Sequence, residues 1–196
     1  MRKEVIIIGA SGHGKVIADI VEKSGDTVFG FLDDDLSKKG VIGKIEKCTQ
    51  YSDKLFIIAI GNNEIRKRIA IEYPNIRYYT AIHPTAVIAN GVNIGKGTAV
   101  MANAVINSEA SVGEHCIINT ASVVEHECDL GSFVHVSPGT VLCGNVKIGE
   151  SAHIGASAVV RNNISITANV TVGCGSCVVK DISEQGTYIG IPVKRI

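Results

Sequence analysis

The sequence predicts a small α/β unit with parallel strands over residues 1–80, joined to an all-β parallel β-helix of hexapeptide repeats over residues 81–196. Two observations carry this prediction. A branched aliphatic residue recurs at every sixth position from Ile88 to Val178. Before it lie continuous apolar runs separated by stretches of helical spacing.

The repeat is the longest regular feature. Its sixteen positions run Ile88, Ile94, Val100, Ile106 and onward to Val172 and Val178, without an insertion. Two residues before each stands a small or aliphatic side chain, such as Ala86, Thr98, Ala104, Cys116 or Ser122. Residues two apart on a strand share a face, so both members of each pair point inward. Each hexad makes one short strand and one corner, and three hexads close a triangular coil of eighteen residues. Sixteen hexads then make about five coils.

Val5-Ile6-Ile7-Ile8 reads as a parallel strand buried on both faces, ending in Gly9-Ala10-Ser11-Gly12-His13-Gly14. Val16, Ile17, Ile20 and Val21 follow helical spacing, with Gly25 placed to stop the helix. A second strand, Thr27 to Leu32, runs into Asp33-Asp34-Asp35; a third, Leu55 to Ile60, ends in Gly61-Asn62-Asn63. Glu64 to Glu72 reads as a helix, with a short strand expected near Tyr78. The glycine loop lies where a helix N-terminus can hold a phosphate. Its G-x-x-G-x-G spacing departs from the dinucleotide fingerprint G-x-G-x-x-G, although Asp33 or Asp34 supplies the acidic residue about twenty positions on. The unit is about half the size a dinucleotide fold needs, which favours one nucleotide over NAD.

Composition narrows the function classes. Hydrophobic residues make up 45% of the 196, aromatics 5%, and Trp is absent, which suits a rod filled with Val and Ile. Nineteen basic against nineteen acidic residues offer no attraction to nucleic acid or an anionic membrane. No apolar run reaches the length of a membrane span, and Met1-Arg2-Lys3-Glu4 shows no cleavable leader, so a soluble cytoplasmic protein is expected. Cys116 and Cys128 fall on inward positions of the rod; Cys174 and Cys177 form a C-x-x-C with no second pair to complete a zinc site. Free thiols and no metal are expected.

Of the six histidines, His135 and His153 lie eighteen residues apart and are expected to stack on the same corner of successive coils. His126 is flanked by Glu125 and Glu127, and an imidazole oriented by a carboxylate suffices for general base catalysis.

The motifs Gly9-Ala10-Ser11-Gly12-His13-Gly14, Phe31-Leu32-Asp33-Asp34, Ile60 to Arg66 (IGNNEIR) and Asn119 to Cys128 (NTASVVEHEC) span both units. With them the chain resembles the nucleotide-sugar acetyltransferases of the sialic-acid O-acetyltransferase group. It resembles in particular the bacillosamine-pathway enzymes that N-acetylate a UDP-4-amino-4,6-dideoxy sugar in bacteria. The resemblance implies a Rossmann-like N-terminal domain, a left-handed β-helix and a homotrimer with acetyl-CoA between neighbouring rods. It implies that Ser11, Gly12 and His13 form the phosphate loop, that Asp33 and Asp34 contact uridine, and that Gly61 and Asn119 belong to the substrate site. It makes His126 the general base, Glu127 the carboxylate that raises its basicity, and the Gly144 backbone an oxyanion donor. His135, Ala156 and Cys174 match acetyl-CoA positions, and Gly190-Ile191-Pro192-Val193-Lys194 resembles the family tail with Val for Ala.

The expected reaction is direct attack of the sugar amine on the thioester of acetyl-CoA, with no covalent enzyme intermediate. The alternatives are a sialic-acid or other sugar O-acetyltransferase and a non-catalytic nucleotide-sugar sensor. A remoter one is a zinc enzyme of the γ-carbonic-anhydrase type, for which His126, His135 and His153 are poorly spaced.

Overall fold

The computed structural model describes residues 2–196. Residues 4–58 build a four-stranded, all-parallel sheet from β1 (Glu4–Ile8), β2 (Thr27–Leu32), β3 (Val41–Gly43) and β4 (Leu55–Ile58), in the order β3-β2-β1-β4. Helix α1 (Gly12–Lys23) follows β1, and α2 (Asn63–Glu72) follows β4. Val5 to Ile8 are fully buried, because a central parallel strand is covered on both faces.

Two local expectations change, and two short elements are new. The strand expected to reach Ile60 ends at Ile58, where Ala59 N–H still bonds the Ile8 carbonyl before the chain turns away. The strand expected near Tyr78 is a single parallel bridge to Phe56. β3 and the 3₁₀ turn Ile45–Gln50 had no clear signal, being too short to show a period.

From Ala81 the chain winds as a triangular rod. Every repeat position from Ile88 to Val178 closes one short strand, from Val87–Ile88 to Cys177–Val178. The stack is longer than five coils and nearer six. Ile82, six residues before Ile88, is already in register, and Gly186–Gly190 extends the same sheet beyond Val170–Val172. The corners use residues at positive φ, among them Asn103, His115, Glu127, Asn145 and Ser157. Such backbone costs of order 1 kcal/mol per non-Gly residue. Hydrogen bonds between coils hold it, as Asn145 N–H to the His126 carbonyl at 2.9 Å does.

The three faces differ outside. One, the polar face, shows Asn93, Ser111, Asp129, Lys147 and Ser165. A second, the valine face, shows Val87, Val105, Val123, Val141, Val159 and Cys177. The third, the seam face, carries Ala81, Ala99 and Ile117, which are buried against Val5, Ile7, Ile17 and Ile20 of the α/β unit. Farther along, the same column becomes His135, His153 and Thr171. There the column faces a cavity beside Gly61, Asn63 and Glu64 of the α/β unit, and its side chains are polar.

Cys116 and Cys128 are buried in the rod core, and all six cysteines are free. No helix among the described residues is long and apolar enough to cross a membrane.

Candidate active site

The first cavity, about 640 Å³, opens where β1 hands over to α1 and is lined by Gly9, Ser11, His13, Asp33, Asp34 and Gly61. Gly9 has φ +107°, and a Cβ on Gly14 would run into the Gly9 carbonyl, so only glycine brings the first turn this close to the strand. Ser11 caps α1 without a side-chain bond and no acidic residue stands in the first turn. The helix therefore offers its N-terminal N–H groups to an anion.

Asp33, the residue expected to contact uridine, lines this cavity and is also held by the fold. Its Oδ2 accepts from Ala10 N–H at 2.8 Å and its Oδ1 from Asp35 N–H at 2.9 Å, while Lys38 Nζ donates to both oxygens. Partial burial opposes ionisation, but these donors outweigh it and hold the carboxyl below its usual range. Asp34 is exposed and faces the cavity. Lys38, which also bonds Ser11 Oγ at 3.2 Å, lies outside the sequence motifs, and no local pattern marks it as part of the site.

Gly61 also borders a second cavity of about 490 Å³, shared with Asn63, Glu64, His135, His153 and Thr171. His135 and His153 stack face to face with centroids 4.6 Å apart, on a flat face rather than the expected corner, since each opens a strand. Asn119 Nδ2 lies 3.1 Å from His135 Nε2, and Ser137 Oγ lies 2.8 Å from His153 Nε2. Burial, helped by His153, Arg66 and His13, lowers the His135 pKa to about 3; burial and Arg66 lower that of His13 to about 4. Both rings are neutral at pH 7. Among the described residues, His13 Nε2 and His135 Nδ1 find no hydrogen-bond partner.

His126 stands at the corner between the valine and polar faces, exposed, with Nδ1 2.9 Å from Glu127 Oε2. One coil on, Gly144 lies under the ring: a Cβ there would be 2.7 Å from His126 Cε1 and Nε2. The Gly144 carbonyl accepts from Asn163 N–H, whereas its own N–H finds no acceptor among the described residues. An imidazole with one nitrogen tied to a carboxylate and the other free, beside an open backbone donor, can move a proton and receive a developing oxyanion.

The predicted residues fall into three groups. Ser11, Gly12, His13, Asp33, Asp34 and Gly61 gather around the first cavity or its loop. His126, Glu127 and Gly144 share one corner. Ala156 and Cys174 occupy the corner between the seam and valine faces, where Gly175 N–H bonds the Ala156 carbonyl, and Asn119 with His135 lies beside it. The α/β unit sits over the remaining corner, around His115, Phe133 and Ser151. Within one chain, the His126 corner and the nucleotide cavity are on different edges of the rod. His126 likewise does not converge with His135 and His153.

Comparison with known proteins places this geometry. Residues 4–73 match the family described as the PglD N-terminal domain. A UDP-N-acetylbacillosamine N-acetyltransferase of Bacillus subtilis is 38% identical over 107 residues, covering 48% of this chain and 50% of that protein. The chain thus spans about half the length of this curated relative. The acetyltransferase domain of PglB from Neisseria gonorrhoeae is 36% identical over 100% of both chains, with a TM-score of 0.94. PerB from Caulobacter crescentus, solved with CoA and GDP-perosamine, is 35% identical over 98% of this chain and 97% of that one, also with a TM-score of 0.94. The chain belongs to the family of nucleotide-sugar acetyltransferases that join a PglD N-terminal domain to a left-handed β-helix.

Proposed function

We propose that the protein transfers acetyl from acetyl-CoA to the 4-amino group of a UDP-4-amino-4,6-dideoxy sugar for bacterial glycan synthesis. The observation that carries this is the His126–Glu127 pair over Gly144, on a chain that also holds an anion-ready cavity at the α1 N-terminus. The names of the relatives from B. subtilis and C. crescentus support an amino sugar as acceptor.

In this reading the free amine attacks the thioester carbonyl, and His126 Nε2 takes a proton from the attacking nitrogen. Glu127 accepts the Nδ1 hydrogen bond and stabilises the imidazolium. The oxyanion meets the Gly144 N–H, and collapse of the tetrahedral species breaks the C–S bond. The proton on Nε2 then leaves with the CoA thiolate, giving the thiol and an amide. Binding energy from the remote nucleotide, held at Ser11, Gly12 and His13, positions the amine.

The same reading requires more than one copy. The catalytic corner and the nucleotide cavity are on different edges, and the valine face between the His126 and Ala156 corners is apolar outside. We therefore propose a cyclic trimer in which rods meet along that face, with acetyl-CoA between Ala156, Cys174 and His135 of one copy and His126 of the next. Both substrates are intracellular metabolites, which puts the work in the cytoplasm.

The test is CoA thiol release with a panel of UDP-4-amino sugars, CMP-sialic acid and free sialic acid. Release with an amino sugar is expected; release with sialic acids alone would make the protein an O-acetyltransferase. Light scattering should give a trimer, and a fully active monomer would sink the shared site.

A further inference from the structure

We propose that Arg66 is a positioning residue whose guanidinium clamps the floor of the nucleotide cavity to the rod, fixing the sugar end of a bound nucleotide in register for transfer. This rests on the acetyltransferase reading above.

Arg66 is 1% exposed, the largest fully buried side chain. Its Nε donates to the His115 carbonyl at 2.7 Å. Nη1 donates to the carbonyls of Ile60 at 2.8 Å and Gly61 at 3.2 Å. Nη2 donates to Asn63 Oδ1 at 2.7 Å and the Phe133 carbonyl at 2.8 Å. All five N–H groups are used. Three acceptors belong to the Ile60–Asn63 segment, and two to rod corners on successive coils. None of the five is a carboxylate.

A buried charge with only neutral partners is a costly way to glue two units, since an apolar side chain of similar volume packs as well or better. What the fork supplies is geometry: its planar donors fix five acceptors in one relative arrangement, which an ammonium cannot reproduce. The segment so fixed carries Gly61, which borders both cavities, and Asn63, whose Nδ2 adds bonds to the carbonyls of Ser151 and Ala152. Gly61 is the one lining residue the two cavities have in common, so the held segment is where they meet. The uncompensated charge also helps keep His13, His115, His135 and His153 neutral, so the crevice does not gather further positive charge.

The experiment compares Arg66→Met, which keeps the stem, and Arg66→Lys, which keeps the charge, well below each variant's melting temperature. Three quantities are read: Kd for UDP, the kinetic constants, and amide hydrogen exchange. Arg66→Met is expected to bind UDP within about twofold of wild type and lose roughly 10- to 100-fold in kcat, the scale of an ångström-sized misplacement, with KM for acetyl-CoA unchanged. Exchange should rise at residues 61–63 and at the corners of His115 and Phe133, while β1 and β4 stay protected. Arg66→Lys should fall between. Loss of UDP affinity in step with kcat, or exchange rising evenly through the α/β unit, would assign Arg66 a general folding role and overturn the proposal. Unchanged turnover with unchanged exchange would overturn it too. If wild-type protein acetylates no amino sugar, the functional reading fails, and the exchange pattern still decides the clamp.

Discussion

Gly144 lies one coil from His126 and directly beneath its ring, close enough that a methyl group would meet Nε2 and Cε1 at 2.7 Å. The imidazole is exposed and can swing away, so the fold should tolerate Gly144→Ala while the base loses its place. We expect kcat to fall about 10- to 100-fold, as small misplacements of catalytic groups do, with melting temperature within a few degrees of wild type. Full activity would show that the ring is not used where it rests.

His126→Ala should lower kcat by roughly 10²–10⁴, the share general base catalysis supplies, with both KM values little changed. Retention of more than half of wild-type kcat, with chemistry rather than product release limiting, excludes His126 as the base. Glu127→Ala should cost less, because a neutral imidazole still accepts a proton. Removing the carboxylate takes away the group 2.9 Å from Nδ1 that orients the ring, so the loss should appear in kcat with both KM values near wild type. An unchanged kcat argues that the pair is only a surface contact.

Asp33 and Asp34 should separate. Asp33 holds the Ala10 and Asp35 N–H groups, so Asp33→Ala should both lower the melting temperature and raise KM for the nucleotide sugar. Its carboxyl is depressed in the fold, so its stabilisation is present above the unfolded value near pH 4 and is lost as pH falls through the folded one. The stability gap to wild type should therefore close on acidification below about pH 4. Asp34→Ala should raise KM with no stability change, and Lys38→Met should raise it more at low salt than at high. Identical behaviour of all three variants contradicts these assignments.

The buried histidines give a fourth expectation. His13 and His115 are lowered to about 4 and His135 to about 3, in each case chiefly by burial. The unfolded chain binds protons below about pH 6.5 while the folded rings do not, so stability should fall as pH drops from there toward 4. His135→Asn, which has no such proton to gain, should flatten part of that slope in melting curves. A slope identical to wild type would mean that His135 titrates normally in the fold.

The rod and its contents were legible residue by residue because a period of six is local: each strand needs only its own hexad to know which side faces in. Even the valine face is written in the sequence, as the residue before every third repeat position. The loop-helix cavity was legible for the same reason, being one strand, one turn and one helix. What lay beyond the sequence were relations across long separations. Asp33 reaches back 23 residues to Ala10. Arg66 takes acceptors 49 and 67 residues away. Which corner of the rod the α/β unit covers depends on where Ala81, Ala99 and Ile117 line up, and that is settled only when coils stack. Periodicity decides orientation within an element; only packing decides which elements meet, and so only the folded chain separates the His126 corner from the nucleotide cavity.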